Sequence, residues 1–140
     1  ILFTGQDFVF IDFEGDPQKS YSQRRLKKSS LKYVASLLRS IHRMTFEKLM
    51  DNENIHVEDI KRLKVSAHNW FSYMSSFFMT GYLSKVKGTR LVPADEQELQ
   101  QVLDIFMIEY ALEDLDYRYD DYSMRVTSAI EALLEITTRL

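Results

Sequence analysis

From Leu31 to the end of the chain, apolar side chains recur at intervals of three and four residues, and that period admits helices and little else. Leu31, Val34, Ala35, Leu38 and Ile41 predict a helix over about 31–51, with Ser29 and Ser30 as candidate N-caps. Ile60, Leu63, Ala67, Trp70, Phe71, Met74, Phe77, Phe78 and Tyr82 predict a second over 57–84, its end bracketed by Gly81 and Gly88. Ser72, Ser75 and Ser76 interrupt it with side chains small enough for close helix contact. Pro93-Ala94-Asp95-Glu96 opens a third helix with acids in its first turn, where the helix dipole favours them. It continues through Leu99, Val102, Leu103, Phe106, Tyr110 and Ala111, and Val126, Ala129, Ile130, Leu133 and Leu134 predict a fourth over 124–139.

The first residues follow a different rule. "ILFT" and "FVFID" are β-rich and separated by Gly5-Gln6-Asp7, which predicts a hairpin over 1–12 that Gly15 and Pro17 terminate. A lone hairpin is marginal in water, so it is expected to lie on the helices. The fold class is therefore mainly α with a small N-terminal β-hairpin. Its 140 residues form a single module: hairpin and acidic loop over 1–17, helical body over 18–140.

Residues 65–84, "VSAHNWFSYMSSFFMTGYLS", contain no Lys, Arg, Asp or Glu. About half are Ser, Thr, His, Asn or Gly, too polar for the roughly 20-residue apolar run of a membrane span, so a buried helix is expected. His68 and Trp70 within it read as core residues. The chain has no cysteine, which excludes disulfides and thiolate chemistry. With no signal-peptide pattern, this fits a cytoplasmic setting. The start at Ile1, inside a strand, leads to the expectation that these residues are a piece of a longer protein.

Three stretches carry candidate chemistry. Asp12, Glu14 and Asp16 follow directly on Phe8-Val9-Phe10-Ile11. Carboxylates at a strand end can hold Mg²⁺ beside phosphate, and Asp12 and Glu14, two apart, point the same way off extended backbone. On residue pattern alone a plain solvated turn is the better reading. "FMIEYALEDLDYRYDDY", 106–122, sets Glu109, Glu113 and Asp116 near one helix face and Tyr110, Asp114 and Tyr117 on the next. That combination suits sugar hydroxyls beside an aromatic ring, and equally a solvated acidic face. Between Lys19 and Arg43 stand eight Lys or Arg and no acid. Thin aromatic interleaving and a net charge of −3 favour a solvated face over a nucleic-acid surface. Arg39, beside the apolar row, is placed to reach inward to a carboxylate that the sequence does not identify.

"FVFIDFEGDP" followed by "SQRRLKKSSLKYVASLLRS" resembles the C-terminal lobe of bacterial maltokinases over about residues 3–41. Those enzymes have the aminoglycoside-phosphotransferase-like branch of the protein-kinase-like fold and are often fused to trehalose synthase. The resemblance implies ATP-dependent phosphorylation of maltose to maltose 1-phosphate, within trehalose and glycogen metabolism. It implies Asp12 as the main Mg²⁺ ligand, Glu14 as a second, and Glu109, Asp114 and Tyr117 as sugar contacts. The family's His-Gly-Asp catalytic loop precedes this hairpin, so no catalytic residue falls within these residues and they are expected to be inactive alone. Two departures are Asp16 for the family's Glu and Tyr33 where relatives commonly carry Asp. The other expectation is a degenerate, non-catalytic lobe that docks a partner such as a trehalose synthase domain. Neither reading calls for nucleic acid or membrane, and self-association through exposed apolar surface near the hairpin is expected.

Overall fold

The computed structural model describes residues 1–11, 20–50, 56–116 and 122–138. Two short strands, β1 (Leu2–Phe3) and β2 (Phe8–Val9), precede a one-turn helix α1 (Tyr21–Arg24) and four longer helices. These are α2 (Ser30–Met50), α3 (Val57–Val86), α4 (Glu96–Asp116) and α5 (Tyr122–Thr137). The helical period therefore places all four long helices within a few residues of their ends.

Local chemistry sets those ends. Ser29 Oγ accepts the Leu31 N–H at 3.3 Å, so it serves as the cap of α2. Ser30 is used differently: its hydroxyl donates to the Leu91 carbonyl at 2.8 Å and meets the Tyr82 hydroxyl at 3.1 Å, tying α2 to the end of α3. Asp95 Oδ1 accepts the Glu98 N–H at 2.8 Å and starts α4, with Glu96 and Glu98 in its first turn. Gly88, at φ +79°, takes the left-handed turn just beyond α3. Gly81 lies inside the last turns of α3, so the helix ends at Val86, between the two glycines expected to bracket its end.

β1 and β2 pair antiparallel, Leu2 with Val9 and Phe3 with Phe8, around a turn with Gly5 at φ +93°. The Thr4 N–H donates to the Asp7 carbonyl at 2.9 Å, and the Phe3 and Phe8 rings lie 5.0 Å apart. The expectation that the hairpin lies on the helices is not met. Among the described residues the strands touch only each other, and residues 1–11 are all exposed. The turn bonds and the Phe pair close the hairpin without help from the helices. Asp12, Glu14 and Asp16 fall in 12–19, outside the described residues.

α2 is the central helix, packed against α3, α4 and α5, while α4 also packs on α5. Its buried positions run Leu31, Val34, Ala35, Leu38, Arg39, His42 and Phe46, one continuous stripe at helical spacing. Leu103 and Met107 from α4 and Ile136 from α5 complete the main core. Ala111, Ala129 and Ala132 let α4 and α5 approach closely.

α3 departs from its expected burial. Among the described side chains of α3 only Ala67 and Val86 are buried, with Phe71, Phe78, Met79 and Tyr82 half-buried against the core. Trp70, Met74 and Phe77 are exposed, and His68 sits at the surface with its ring on Glu135. The charge-free stretch is apolar on two opposite sides, and α2 covers only one of them. No helix among the described residues is long and apolar enough to cross a membrane.

Candidate functional site

The site grows from two rows of side chains on facing helices. On α2, Ser36, Arg39, Ser40 and Arg43 are three and four residues apart and share a face; on α4, Tyr110, Glu113 and Asp114 do the same. Where the rows meet they line an open polar cleft of about 330 Å³. That volume lies at the lower end of the range usual for small-molecule sites, about 300–1,000 Å³.

Arg39 anchors it. Its side chain is only 4% exposed, and Nη2 stands 2.9 Å from Asp114 Oδ2. That approach is a close ion pair but too oblique to satisfy the N–H, and the buried Nε has no partner among the described residues. Nη1 donates to Ser128 Oγ at 3.0 Å and meets His42 Nδ1 at 3.1 Å. A guanidinium only donates, so His42 Nδ1 accepts and the ring proton sits on Nε2. That nitrogen faces Glu135 Oε2 obliquely at 3.4 Å. Burial pulls Arg39 below its ordinary value, against the pull of Asp114. Arg43 Nη1 adds a longer contact to Asp114 Oδ1 at 3.5 Å.

At the other end, Lys32 pairs with Glu109 and lies 5.4 Å over the Tyr110 ring and 5.7 Å over that of Phe106. Burial opposes the Lys32 charge, but the Glu109 hydrogen bond and the nearby acids outweigh it and raise its pKa. Burial raises Tyr110 well away from ionisation, although Ser36 and Lys32 act the other way, so its hydroxyl remains a donor. The cleft thus offers donors from two arginines and a phenol, and acceptor oxygens from Glu113 and Asp114, while the Ser40 hydroxyl donates to the Ser36 carbonyl at 2.9 Å and Ser36 bonds Tyr110. This is the inventory needed to hold a neutral polyhydroxylated molecule.

Of the residues expected at a sugar site, Asp114 lies in the cleft. Glu109 does not line it; the Lys32 ammonium draws its carboxylate aside. Tyr117 lies outside the described residues, as do Asp12 and Glu14. Among the described residues no group of three or more His, Cys, Asp or Glu could hold a metal ion. The carboxylate that Arg39 reaches is Asp114. Reading α4 alone missed Ser36, Ser40 and Arg43. Their own spacing on α2 was visible, but not which helix they would face.

Below the cleft, Glu135 accepts from His68 Nδ1 at 3.0 Å on one side and faces His42 on the other. Burial alone would raise its carboxyl, but the two imidazoles outweigh burial and hold it below the usual carboxylate range. A depressed carboxyl contributes stability above its unfolded value, about 4.3, and loses it as pH falls through the folded value. The thermal midpoint of wild type should therefore drop more steeply below that pH than that of Glu135→Gln. Parallel acid profiles by circular dichroism would contradict this.

No protein-family model matches the chain, and no solved structure matches it.

Proposed function

We propose that these residues form part of the C-terminal lobe of a cytoplasmic, ATP-dependent sugar kinase of the maltokinase type, with the α2–α4 cleft receiving the acceptor sugar. The observation that carries this reading is the convergence of Tyr110, Glu113 and Asp114 with Arg39, Arg43, Ser36 and Ser40 around a small polar cleft. The hairpin followed by a helical body is also the order the sequence resemblance implies.

In this reading Glu113, exposed and in no ion pair among the described residues, accepts sugar hydroxyls, and the Tyr110 hydroxyl donates to them. Asp114 contributes its remaining lone pairs while Arg39 and Arg43 fix its orientation. Mg²⁺ held by Asp12, with Glu14 as second candidate, would neutralise charge on the phosphate of bound ATP. The base that activates the anomeric hydroxyl would come from the catalytic loop that the resemblance sets before the hairpin.

The test follows phosphate transfer from Mg²⁺-ATP to maltose by ³¹P NMR, using the full-length polypeptide that carries these residues. A sugar 1-phosphate signal that Asp12→Ala abolishes is expected. Glu113→Gln should raise the KM for maltose about tenfold, a loss of roughly 1.4 kcal/mol, with ATP affinity unchanged. No product with maltose or a wider sugar panel would overturn the reading. The second reading, a non-catalytic lobe docking a trehalose synthase domain, draws on the exposed Phe3, Phe8, Phe10 and Ile11 of the hairpin segment. Retained Mg²⁺-ATP binding would count against it.

A further inference from the structure

Glu135 of α5 stands between two histidines in unlike surroundings. His68, on α3, has a side chain 53% exposed, and its Nδ1 lies 3.0 Å from Glu135 Oε1. An ionised carboxylate only accepts, so Nδ1 carries the proton of that bond. His42, on α2, is 1% exposed and turns its Nε2–H toward Oε2 at 3.4 Å, too obliquely to satisfy this buried donor. A buried N–H without a partner is costly, whereas a neutral bond to a half-exposed ring gains little over water. With both rings neutral, the carboxylate would gain more by turning squarely onto His42. It lies on His68 instead.

A proton on His68 accounts for that choice. Histidine is the side chain that changes charge between about pH 5 and 8, and solvent reaches the His68 ring. Once charged, the ring offers Glu135 a bond roughly twice as strong as a neutral one. His42 cannot do the same. Its Nδ1 already accepts from Arg39 Nη1 at 3.1 Å, so a second ring proton would break that bond and set two cations together in the core. The neighbouring charges are engaged elsewhere. Lys64 of α3 pairs with Glu131 of α5, one turn before His68 and Glu135, while Lys61 and Arg62 are exposed. Arg39 and Arg43 of α2 face Asp114 of α4, and Arg43 also meets Glu47. Among the described residues only the two histidines pair with Glu135.

We propose that His68 and His42 compete for the Glu135 carboxylate and that a proton on His68 decides between them. With His68 charged, the carboxylate lies toward α3, as described. With His68 neutral, it turns to the His42 Nε2–H, and the Lys64–Glu131 pair is left as the tie between α3 and α5. The turn also reaches the cleft. A ring that donates from Nε2 to a carboxylate accepts more strongly at Nδ1, which draws Arg39 toward His42 and eases its hold on Asp114. The device is independent of the kinase reading and of what the cleft binds.

Long-range ¹⁵N–¹H NMR through the carbon-bound ring protons reads each imidazole nitrogen across about pH 5 to 8, with His56 as the third histidine. His42 should keep its single proton on Nε2 throughout. Its Nε2 resonance should move to lower field, the sign of a stronger bond from that nitrogen, with the same midpoint at which His68 loses its charge. His68→Ala, at an exposed site, should fold normally and hold His42 at its low-field position at every pH. Glu135→Gln should abolish the response, and His56→Ala should leave it unchanged. A His42 resonance that ignores the His68 titration overturns the proposal, and so does a shift of opposite sign. A second proton on His42 in this range overturns it as well, as does a response that survives His68→Ala.

Discussion

Asp114→Ala is expected to lower the stability of the fold by about 3–5 kcal/mol, the cost of leaving a buried charge without its counter-ion. Arg39 is 4% exposed and Asp114 15%, at 2.9 Å, so little water is available to replace the lost carboxylate. The other Arg39 partners, Ser128 and His42, are neutral acceptors that cannot balance the charge. Arg43, 32% exposed and 3.5 Å away, would lose its own contact but stay solvated. Equilibrium urea unfolding of wild type and variant gives the difference directly. Replacing both members, Arg39→Met with Asp114→Leu, should cost less than Asp114→Ala alone, because no buried charge remains. If the double variant proves less stable than the single, the pair contributes more than compensation of its own burial.

Phe46→Ala should cost a similar amount, about 3–5 kcal/mol, for a different reason. Phe46 is 2% exposed and its ring stacks at 4.5 Å on His42, which Phe71 meets edge-on at 4.9 Å. Truncation gives up the burial of the phenyl ring and opens a cavity beside an imidazole fixed by Arg39, so the site is poorly placed to collapse. The contrast is Phe77→Ala. That ring is 68% exposed, and in dilute monomer its removal should change stability by no more than about 0.5 kcal/mol. Equal losses at the two positions would mean that α3 is covered within the single chain, contrary to the fold described here.

Both predictions concern residues whose surroundings sequence reading reached unequally. The existence and approximate ends of the four long helices were legible, because apolar spacing and capping chemistry act over a few neighbouring residues. Asp95, Ser29 and Gly88 could be read that way; Ser30 could not, since its hydroxyl bonds Leu91, which only the return of the chain from α3 brings near. In the cleft, the acids and tyrosine of α4 stood out as a group. Their selection into Asp114 and Glu113 inside the cleft and Glu109 outside it depended on Lys32, Arg39 and Arg43 of α2.

The amino-acid order alone determined a mainly helical chain behind a hairpin, the rows of residues sharing each helix face, and an α3 apolar enough to be covered. Those properties follow from the 3.6-residue period and from short-range bonding. Tertiary structure decided which face met which. It turned Arg39 and His42 inward beside Asp114 and Glu135, left the Trp70–Phe77 stripe outside, and kept the hairpin off the helices. Such choices depend on charge pairing and surface burial between residues as many as 93 positions apart, such as His42 and Glu135, and no local pattern encodes them.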